Sequence, residues 1–437
     1  MHLEKGTFVM KKILYGTTAL VAAAVAAGQA NAASGLKLGI TGFYRGAIGA
    51  TFGSDSSQTF PSIDPDRGAG LNGRSNVAFR QEVRVNFTGS TTLDNGITVG
   101  VLVGLNAGGK NAVTSNAPAR INRAYMDISG KFGQIRFGDA NSAYQSMCVG
   151  DPGNVTANFG LNSPNESFSN AGRANFEGTL SGYMPTAVSG AGTCFGLETR
   201  STKIIYFSPT FDGFNFAVSF APDHIRGAGG SGGIGGTLGV GGTAAGSAFH
   251  DFLSAGVNFN HDFGGVTLSA GVSGEWALAG KTSNSDNATN ISHKPSMYQA
   301  GVQVGFGAFA VGASGQYVVN YTHAGYRSVR TSLKHSRSFS SDDAYMITVG
   351  GSYTMDAVSI GLEGMYDHFT VSGDGGGDAT YMGVSLNAAY ALGPGISLEG
   401  QVAWTRSDTN FSSPPTTFGP MNSVNAYEID IGTAVNF

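Results

Sequence analysis

The chain ends with "YEIDIGTAVNF", residues 427–437, in which two kinds of side chain alternate strictly. One parity is largely apolar and begins and ends on an aromatic ring: Tyr427, Ile429, Ile431, Thr433, Val435 and Phe437. The other parity is polar or small: Glu428, Asp430, Gly432, Ala434 and Asn436. Successive side chains of a β-strand leave opposite faces, so this period of two predicts a strand with one apolar face.

The same period recurs upstream, for example in "VAFRQEVRVNF" (77–87) and "ISLEGQVAW" (396–404). It predicts an all-β chain with an even number of strands. We count sixteen segments, at about 36–50, 76–90, 96–107, 120–129, 133–140, 199–208, 213–221, 251–261, 266–278, 296–305, 309–321, 343–354, 358–371, 380–391, 396–406 and 424–437.

The connections between these segments alternate in length. Seven are short, at 93–95, 130–133, 209–213, 262–265, 305–308, 355–357 and 392–395. Eight are long, at about 51–75, 108–119, 141–198, 222–250, 279–295, 322–342, 372–379 and 407–423. Short turns at one end and long loops at the other are typical of outer-membrane barrels. We therefore predict a 16-stranded antiparallel transmembrane β-barrel with short periplasmic turns and long external loops.

The length of the last strand agrees with this prediction. The ten steps from Tyr427 to Phe437 span about 34 Å and rise about 26 Å at a tilt of about 40°, close to the roughly 25 Å apolar band of such barrels. The apolar parity would face lipid, and the sheet must close because lipid offers no hydrogen bonds. We expect the last strand to pair with the first near residues 36–49, where Phe43 and Tyr44 compete for the lipid face. A soluble β-sandwich also alternates, but its strands are usually shorter.

The N-terminal stretch "MKKILYGTTALVAAAVAAGQANA" (10–32) has a basic start, an apolar run and a small-x-small end. This pattern predicts a secretory signal peptide over residues 1–32, with Met10 as an alternative start, and a barrel domain over residues 33–437. A membrane anchor is the alternative, but an apolar run of about 15 residues is too short to span a bilayer. Export agrees with a location in the bacterial outer membrane.

The composition excludes several classes of protein. The chain has 437 residues, 68 of them Gly, and only 12% are charged, whereas soluble domains carry about 25%. Beyond residue 32 no apolar run reaches the length of about 18 residues that a transmembrane helix needs. That part has 22 basic and 28 acidic residues, a net charge of −6. Without a basic stripe, nucleic-acid binding is not expected.

The stretch "NRAYMDISGKFGQIRFGDANSAYQSM" (122–147) is similar to the paired fourth and fifth strands that lead into the third external loop of alphaproteobacterial porins. With its sixteen predicted strands and terminal Phe437, the chain resembles the general diffusion porins of Gram-negative bacteria. The resemblance implies a homotrimer of water-filled channels for passive diffusion of ions and small hydrophilic solutes, with the third loop folded into each barrel. It also implies contact with outer-membrane lipid and lipopolysaccharide, and recognition of Phe437 by the barrel-assembly machinery. No enzymatic activity and no cofactor are expected.

The long loop at 141–198 carries acids, whereas the inward parity of the early strands carries bases. The acids are Asp151, Glu166 and Glu177, with Glu198 at the end of the loop, and the bases are Lys37, Arg45, Arg80, Arg84, Arg123 and Arg136. We predict that these groups form the two sides of a pore constriction, since rings of charge give channels their selectivity. The alternative is that the arginines form ordinary ion pairs with Glu82 and Asp127.

The later strands place further acids on the inward parity: Glu275, Glu363, Asp367, Glu399, Glu428 and Asp430. Together with the net charge of −6 after residue 32, these acids predict a weak preference for cations.

Cys148 and Cys194 are the two cysteines of the chain, and both lie in or beside the long loop. Disulfides persist in exported proteins, so we predict a bridge between them. Two free, buried thiols are the alternative.

Three glycine-rich stretches imitate binding motifs. "GLNAGGKN" (104–111) nearly matches the phosphate-loop pattern but lacks its final Ser or Thr and a following helix. "GAGGSGG" (227–233) fits a dinucleotide pattern only by chance in a glycine-saturated loop, and "GDGGGD" (373–378) favours a tight hairpin over a calcium loop. The eight His show no metal-ligand spacing, so no metal site is predicted.

Two other functions stay open. A substrate-selective porin, for example for sugars, would need a ladder of aromatic side chains in the lumen, and Phe43, Tyr125 and Phe369 have inward parity. A barrel that serves as an adhesin, a structural tether or an outer-membrane enzyme would need an added soluble domain or a catalytic constellation. The sequence contains neither in recognisable form.

Overall fold

Sixteen antiparallel strands close into a barrel in the computed structural model, which describes residues 35–53, 77–108, 120–161, 192–198, 200–222, 249–280, 294–319, 340–372, 377–411 and 424–437. Each strand pairs with its neighbours in the chain, and β16 pairs with β1. The predicted 16-stranded antiparallel barrel is confirmed. The strands are β1 Lys37–Gly53, β2 Val77–Thr92, β3 Thr98–Gly108, β4 Arg120–Gly130, β5 Gly133–Asp139, β6 Thr202–Phe207, β7 Phe214–Ala221, β8 Phe249–Asp262, β9 Val266–Gly280, β10 Ser296–Phe306, β11 Phe309–Val319, β12 Ser340–Met355, β13 Val358–Ser372, β14 Gly377–Gly393, β15 Ile396–Phe411 and β16 Val424–Asn436.

The two faces of the sheet have opposite character, as the alternation predicted. On β16, Ile429 and Ile431 are 51% and 61% exposed on the outside, whereas Glu428 and Asp430 are 3% and 1% exposed on the inside. Exposed aliphatic side chains of the same parity cover the outer surface of the other strands. This arrangement reverses that of a soluble protein and suits a barrel surrounded by lipid.

The closing pair of strands is offset from the predicted one. β16 pairs with the later part of β1, from Phe43 opposite Asn436 to Gly53 opposite Ala426, whereas the sequence suggested residues 36–49. The backbone of Phe437 exchanges two hydrogen bonds with Gly42, of 2.7 and 3.0 Å. Gly42 suits this position because a Cβ would contact the Phe437 ring. Tyr44 faces outward, which settles the competition with Phe43.

The connection between β13 and β14 is also shorter than predicted. The alternation suggested a loop at 372–379, but strand pairing continues to Val371 opposite Gly377. The Thr370 hydroxyl donates to Asp378 Oδ1 at 2.9 Å and supports these added pairs. Residues 373–376 lie outside the described residues, so the tight hairpin predicted for 373–378 is described only at its ends.

A short helix, α1 (Ala143–Met147), follows β5 and was not predicted. Ser142 is its N-cap, because the Ser142 hydroxyl accepts a hydrogen bond from the Gln145 N–H. Within the described residues, no helix has the length and apolarity needed to cross a membrane.

Candidate functional site

The long loop after β5 lies inside the barrel, against its inner wall. Its first part, residues 140–161, is called the strap below, and residues 192–198 form the return limb. Helix α1 begins the strap: Ala143 N donates to Ser219 Oγ on β7 (2.9 Å), and Tyr144 N donates to Ser254 Oγ on β8 (3.3 Å). The inward-folded third loop, which the resemblance implied, is therefore present.

Amide side chains of the wall hold the middle of the strap. Gln299 and Gln303 on β10 donate to the carbonyl oxygens of Val149 (2.9 Å) and Gly150 (2.6 Å). Asn387 on β14 accepts from Val155 N (2.9 Å) and donates to Gly153 O (3.0 Å). These contacts satisfy backbone groups of a segment that has no sheet partner of its own.

Two wall carboxylates hold the end of the strap. Glu399 Oε2 on β15 accepts hydrogen bonds from Ala157 N (3.0 Å), Asn158 N (2.9 Å) and Asn158 Nδ2 (2.9 Å). Glu363 Oε2 on β13 accepts from Leu161 N at 2.7 Å. Asn158 Nδ2 also donates to the Thr433 carbonyl on β16 at 3.1 Å. Hydrogen bonds to ionised acceptors are the stronger kind, so these contacts fix the strap firmly.

Glycines on the inner wall let the strap approach the sheet closely. A Cβ at Gly301 would overlap the Val149 carbonyl oxygen, and one at Gly361 would overlap the Gly153 carbonyl oxygen. Together with the hydrogen bonds, these contacts make an arc of ten strands, β7 to β16, along which the strap lies. The inward glycines that meet the strap are Gly256, Gly271, Gly301, Gly312, Gly350, Gly361, Gly383 and Gly432.

A disulfide between Cys148 and Cys194 ties the strap to the return limb, as predicted. Around it, Gln316 Nε2 on β11 donates to the Tyr144 hydroxyl (2.8 Å) and to the Phe195 carbonyl (2.7 Å). The Tyr144 hydroxyl in turn donates to the Thr193 carbonyl at 3.3 Å. Burial raises the pKa of Tyr144, so this hydroxyl stays a neutral donor.

The inward acids of the later strands are buried rather than exposed to the lumen. Their exposed fractions are 1% for Glu275, Glu363, Asp367 and Asp430, 3% for Glu428 and 4% for Glu399. In the loop, Glu198 is buried as well and pairs with Lys203 on β6, with 2.5 Å between Oε1 and Nζ. These acids therefore do not line the lumen surface.

The inner faces of β1–β4, called the basic wall below, carry partly exposed arginines. Arg84 pairs with Glu82 at 3.2 Å, and Arg45 lies 3.9 Å from the same carboxylate; all three side chains are 16% exposed. The guanidinium groups of Arg45 and Arg84 lie over the Phe43 ring, 4.1 and 5.0 Å from its centroid. Ring stacking and a shared carboxylate hold both guanidinium groups at the lumen surface.

A β-bulge extends the basic wall with residues that the period of two did not reveal. The pairing of β3 with β4 skips Asn122, so both Asn122 and Arg123 turn inward. Asn106 Oδ1 accepts from Arg84 Nε (3.2 Å) and from Asn122 Nδ2 (2.9 Å), and Asn122 Oδ1 accepts from Arg200. Arg123 Nη2 donates to Asn141 Oδ1, at the start of the strap (3.4 Å). The break in alternation within "RINRAY" was the available signal.

Two predicted bases lie elsewhere. Lys37 is exposed near the periplasmic turn, opposite Ser90 and beyond the end of β16. Arg136 is 5% exposed and donates to both carboxylate oxygens of Asp127, at 2.7 and 3.0 Å. For Arg136 the structure supports the alternative of an ordinary ion pair, because a buried, paired guanidinium does not line a pore.

The other predicted site residues are only partly described. Arg80 lies on β2 opposite Ala47, but its side chain is outside the described residues, as are Glu166 and Glu177. Asp151 Oδ1 accepts from Gly153 N (3.0 Å) within the strap, beside Gly350 on β12. β12 lies across the barrel from the basic wall, half of the sixteen strands away from β4.

Aromatic side chains of inward parity do not form a ladder in the described part of the lumen. Phe43 lies beneath the guanidinium groups of Arg45 and Arg84, and Tyr125 is 9% exposed beneath Arg136. The side chain of Phe369 is outside the described residues. Likewise, no group of three or more His, Cys, Asp or Glu among the described residues could hold a metal ion.

Comparisons with known proteins agree with this architecture. A family model described as "Gram-negative porin" matches residues 16–410, and no curated protein matches the sequence. The fold is similar to an anion-selective porin from Comamonas acidovorans, with 12% identity, 92% of this chain and 100% of that chain covered, and a TM-score of 0.53. It is also similar to the trimer form of OmpT from Vibrio cholerae (12% identity, 92% and 99% covered, TM-score 0.51). The outer membrane channel DcaP of Acinetobacter baumannii is a third similar structure (15% identity, 92% and 98% covered, TM-score 0.53). Because the family model spans most of the chain, this protein belongs to the Gram-negative porin family.

Proposed function

We propose that this outer-membrane barrel is a passive diffusion channel for ions and small hydrophilic solutes. The observation that carries the proposal is the strap, which lies inside a closed barrel along ten of the sixteen strands. The apolar exterior suits the barrel to lipid, and the polar interior allows ions to cross a bilayer that they cannot cross through its apolar core. A strap fixed to one side narrows that path toward the basic wall. We propose no enzymatic activity and no cofactor.

We further propose that the channel prefers anions. Arg45, Arg84 and Arg123 are partly exposed on the basic wall, whereas the inward acids of the later strands are buried. Rings of charge along a lumen give a channel its selectivity, and on the described basic wall these three arginines outnumber Glu82, the partly exposed acid beside them. This proposal replaces the weak cation preference suggested by the net charge. The similar Comamonas structure is described as anion-selective.

The acidic side of the constriction stays a proposal as well. We assign it to Asp151, Glu166 and Glu177, opposite a basic side formed by Arg45, Arg80, Arg84 and Arg123. The support for Asp151 is its place on the strap beside β12, across the barrel from β4. Opposed charges would create a transverse field that orients dipolar solutes and disfavours apolar ones.

We propose that the protein assembles as a homotrimer, as the trimer form of the similar OmpT suggests. The alphaproteobacterial type of porin, the signal peptide over residues 1–32 and contacts with lipid and lipopolysaccharide are part of the same proposal. We propose that the barrel-assembly machinery recognises Phe437, and its 59% exposure at the end of the closing strand supports this proposal. Its backbone bonds with Gly42 give it a second role in closure.

Planar-bilayer recording of the purified full chain tests the proposed channel. We expect stepwise increases in conductance that occur in groups of three, one for each barrel of a trimer. The same preparation after heat denaturation serves as the control and should give no steps. Folded protein that inserts into the bilayer without conducting would contradict the channel proposal, whereas single steps of uniform size would contradict only the trimer.

A further inference from the structure

Three oxygen atoms on the inner face of β15 and β16 have no hydrogen-bond partner within the described structure: Glu428 Oε1, Asp430 Oδ1 and Gln401 Oε1. The three side chains are 3%, 1% and 3% exposed. Gln401 lies opposite Asp430 in the strand pairing, and Gln401 Nε2 donates to Asp430 Oδ2 at 3.2 Å. Glu428 is two residues from Asp430, on the same face. The three side chains are therefore neighbours on one buried patch of the inner wall.

The surroundings of this patch supply no described positive charge. Among the described residues, neither Glu428 nor Asp430 has an ion pair with Lys, Arg or His within 4.0 Å. The wall positions directly opposite carry no charge: Ala403 and Thr51 lie opposite Glu428, and Gln401 and Gly49 lie opposite Asp430.

Other buried acids of the same wall have hydrogen-bond donors from the strap that Glu428 and Asp430 lack in the described part of the chain. Glu399 and Glu363 are buried to a similar degree, but the N–H groups of the strap donate to their carboxylates. Glu428 receives no such donor, and the one described donor to Asp430 is Gln401. A buried carboxylate without compensation is costly, so the charge on this pair requires a counter-ion or a proton.

We propose that Glu428, Asp430 and Gln401 bind a divalent hard cation, with Ca²⁺ as the ion that suits them best. Ca²⁺ takes six to eight oxygen ligands in a flexible geometry and accepts carboxylate and amide oxygens together with water. Two carboxylates balance its charge, and the Gln401 oxygen adds a neutral ligand. Because β16 closes the barrel against β1, a bound ion would stabilise the closing strand. This site does not depend on the proposed anion preference.

Calcium binding to the full chain tests the proposal. The chain is folded in detergent without lipopolysaccharide, which itself binds divalent cations, and dialysed against Ca²⁺ after removal of metals with EDTA. We expect one high-affinity Ca²⁺ per chain and a higher unfolding temperature in Ca²⁺ than in EDTA. This comparison uses the unaltered protein, so it does not depend on the folding of a variant.

Matched variants locate the site. The double variant Glu428→Gln, Asp430→Asn should lose the bound Ca²⁺ and the gain in unfolding temperature. Gln401→Leu should weaken binding by at least about tenfold, since affinity depends on the number and charge of the ligands. Asp343→Asn removes an exposed carboxylate on β12 and should bind Ca²⁺ like the unaltered chain. Absence of Ca²⁺ from the unaltered chain, or equal binding by the double variant, would overturn the proposal.

Discussion

The two sides of this barrel use charged residues in different ways. On the side of β7–β16, buried Glu399 and Glu363 accept hydrogen bonds from the strap, and glycines admit its backbone. On the basic wall of β1–β4, Arg45 and Arg84 are held over Phe43, and their side chains are 16% exposed. Charges of one side bind the loop, and charges of the other side face the lumen.

Inward parity alone therefore does not make a residue part of the pore. The inward acids of the later strands outnumber the arginines, but their side chains are 1–4% exposed and do not form part of the lumen surface. The arginines are fewer, but on the described basic wall Arg45 and Arg84 are as exposed as Glu82, the acid that they share, and Arg123 is partly exposed as well. Variants on the side that holds the strap should therefore change stability, and variants on the basic wall should change ion selectivity.

Removal of the Cys148–Cys194 bridge should have the largest effect. The bridge closes a loop with a sequence separation of 46 residues, so the chain-entropy model gives a loss of about 4 kcal/mol in the free energy of unfolding. The double variant Cys148→Ser, Cys194→Ser is compared with the unaltered protein in urea denaturation. Cys148→Ser alone should match the double variant, and reductant should then have no further effect. An unchanged midpoint would show that the bridge contributes nothing.

Glu399→Ala should lower the free energy of unfolding by about 2–3 kcal/mol, because it leaves three strap donors without a charged acceptor. Glu399→Gln is the matched variant. Because it keeps an acceptor oxygen, its free energy of unfolding should fall clearly less than that of Glu399→Ala. Urea denaturation measures the stability, and single-channel recording should show a changed conductance for the Ala variant. Equal losses for Ala and Gln would argue against the role of Glu399 as an acceptor.

Gly301→Ala tests the close approach of strap and wall. The added methyl would overlap the Val149 carbonyl, and we expect a loss of about 1–3 kcal/mol from overpacking. The control is Gly315→Ala on β11, whose nearest neighbour to an added Cβ, the Met346 carbonyl oxygen, lies 3.6 Å away. That control should stay within about 0.5 kcal/mol of the unaltered protein. Urea denaturation measures both variants. A similar loss of stability in Gly301→Ala and Gly315→Ala would show that the effect does not come from contact with the strap.

The double variant Arg45→Ala, Arg84→Ala should have the smallest effect, and the effect should be on ion permeation. We expect the anion-to-cation permeability ratio to fall about twofold to fivefold, as for interactions of about 0.5–1 kcal/mol at partly exposed charges. Reversal potentials in a salt gradient measure the ratio. Arg406→Ala, on the outer face of β15, is the control and should leave the ratio unchanged. A ratio that does not change in the double variant would exclude these arginines from the constriction.

Much of the fold follows from the sequence because a β-barrel in lipid obeys a simple rule. Every strand must alternate between lipid and lumen, so the period of two located all sixteen strands and their turns. The same rule placed Arg45 and Arg84 correctly on the inner face. The inward fold of the long loop came from the resemblance to porins rather than from any periodic signal.

The remaining features depend on contacts between distant parts of the chain. Parity does not give the height of a residue in the barrel, which is why Lys37 lies at the rim. It does not show what covers a residue, which is why Arg136 proved to be buried. A bulge changes the parity locally, so Asn122 was missed. The inward glycines, one on each strand from β8 to β14, were visible in the sequence as a possible contact surface.

The reversal potential of the unaltered protein shows whether the arginines of the basic wall or the inward acids set the ion selectivity. The full chain is inserted into a planar bilayer with a tenfold gradient of potassium chloride, and the potential at zero current is measured. If the arginines of the basic wall determine the selectivity and the buried acids do not, the zero-current potential should shift toward the equilibrium potential of chloride. A shift toward the equilibrium potential of potassium would contradict the account.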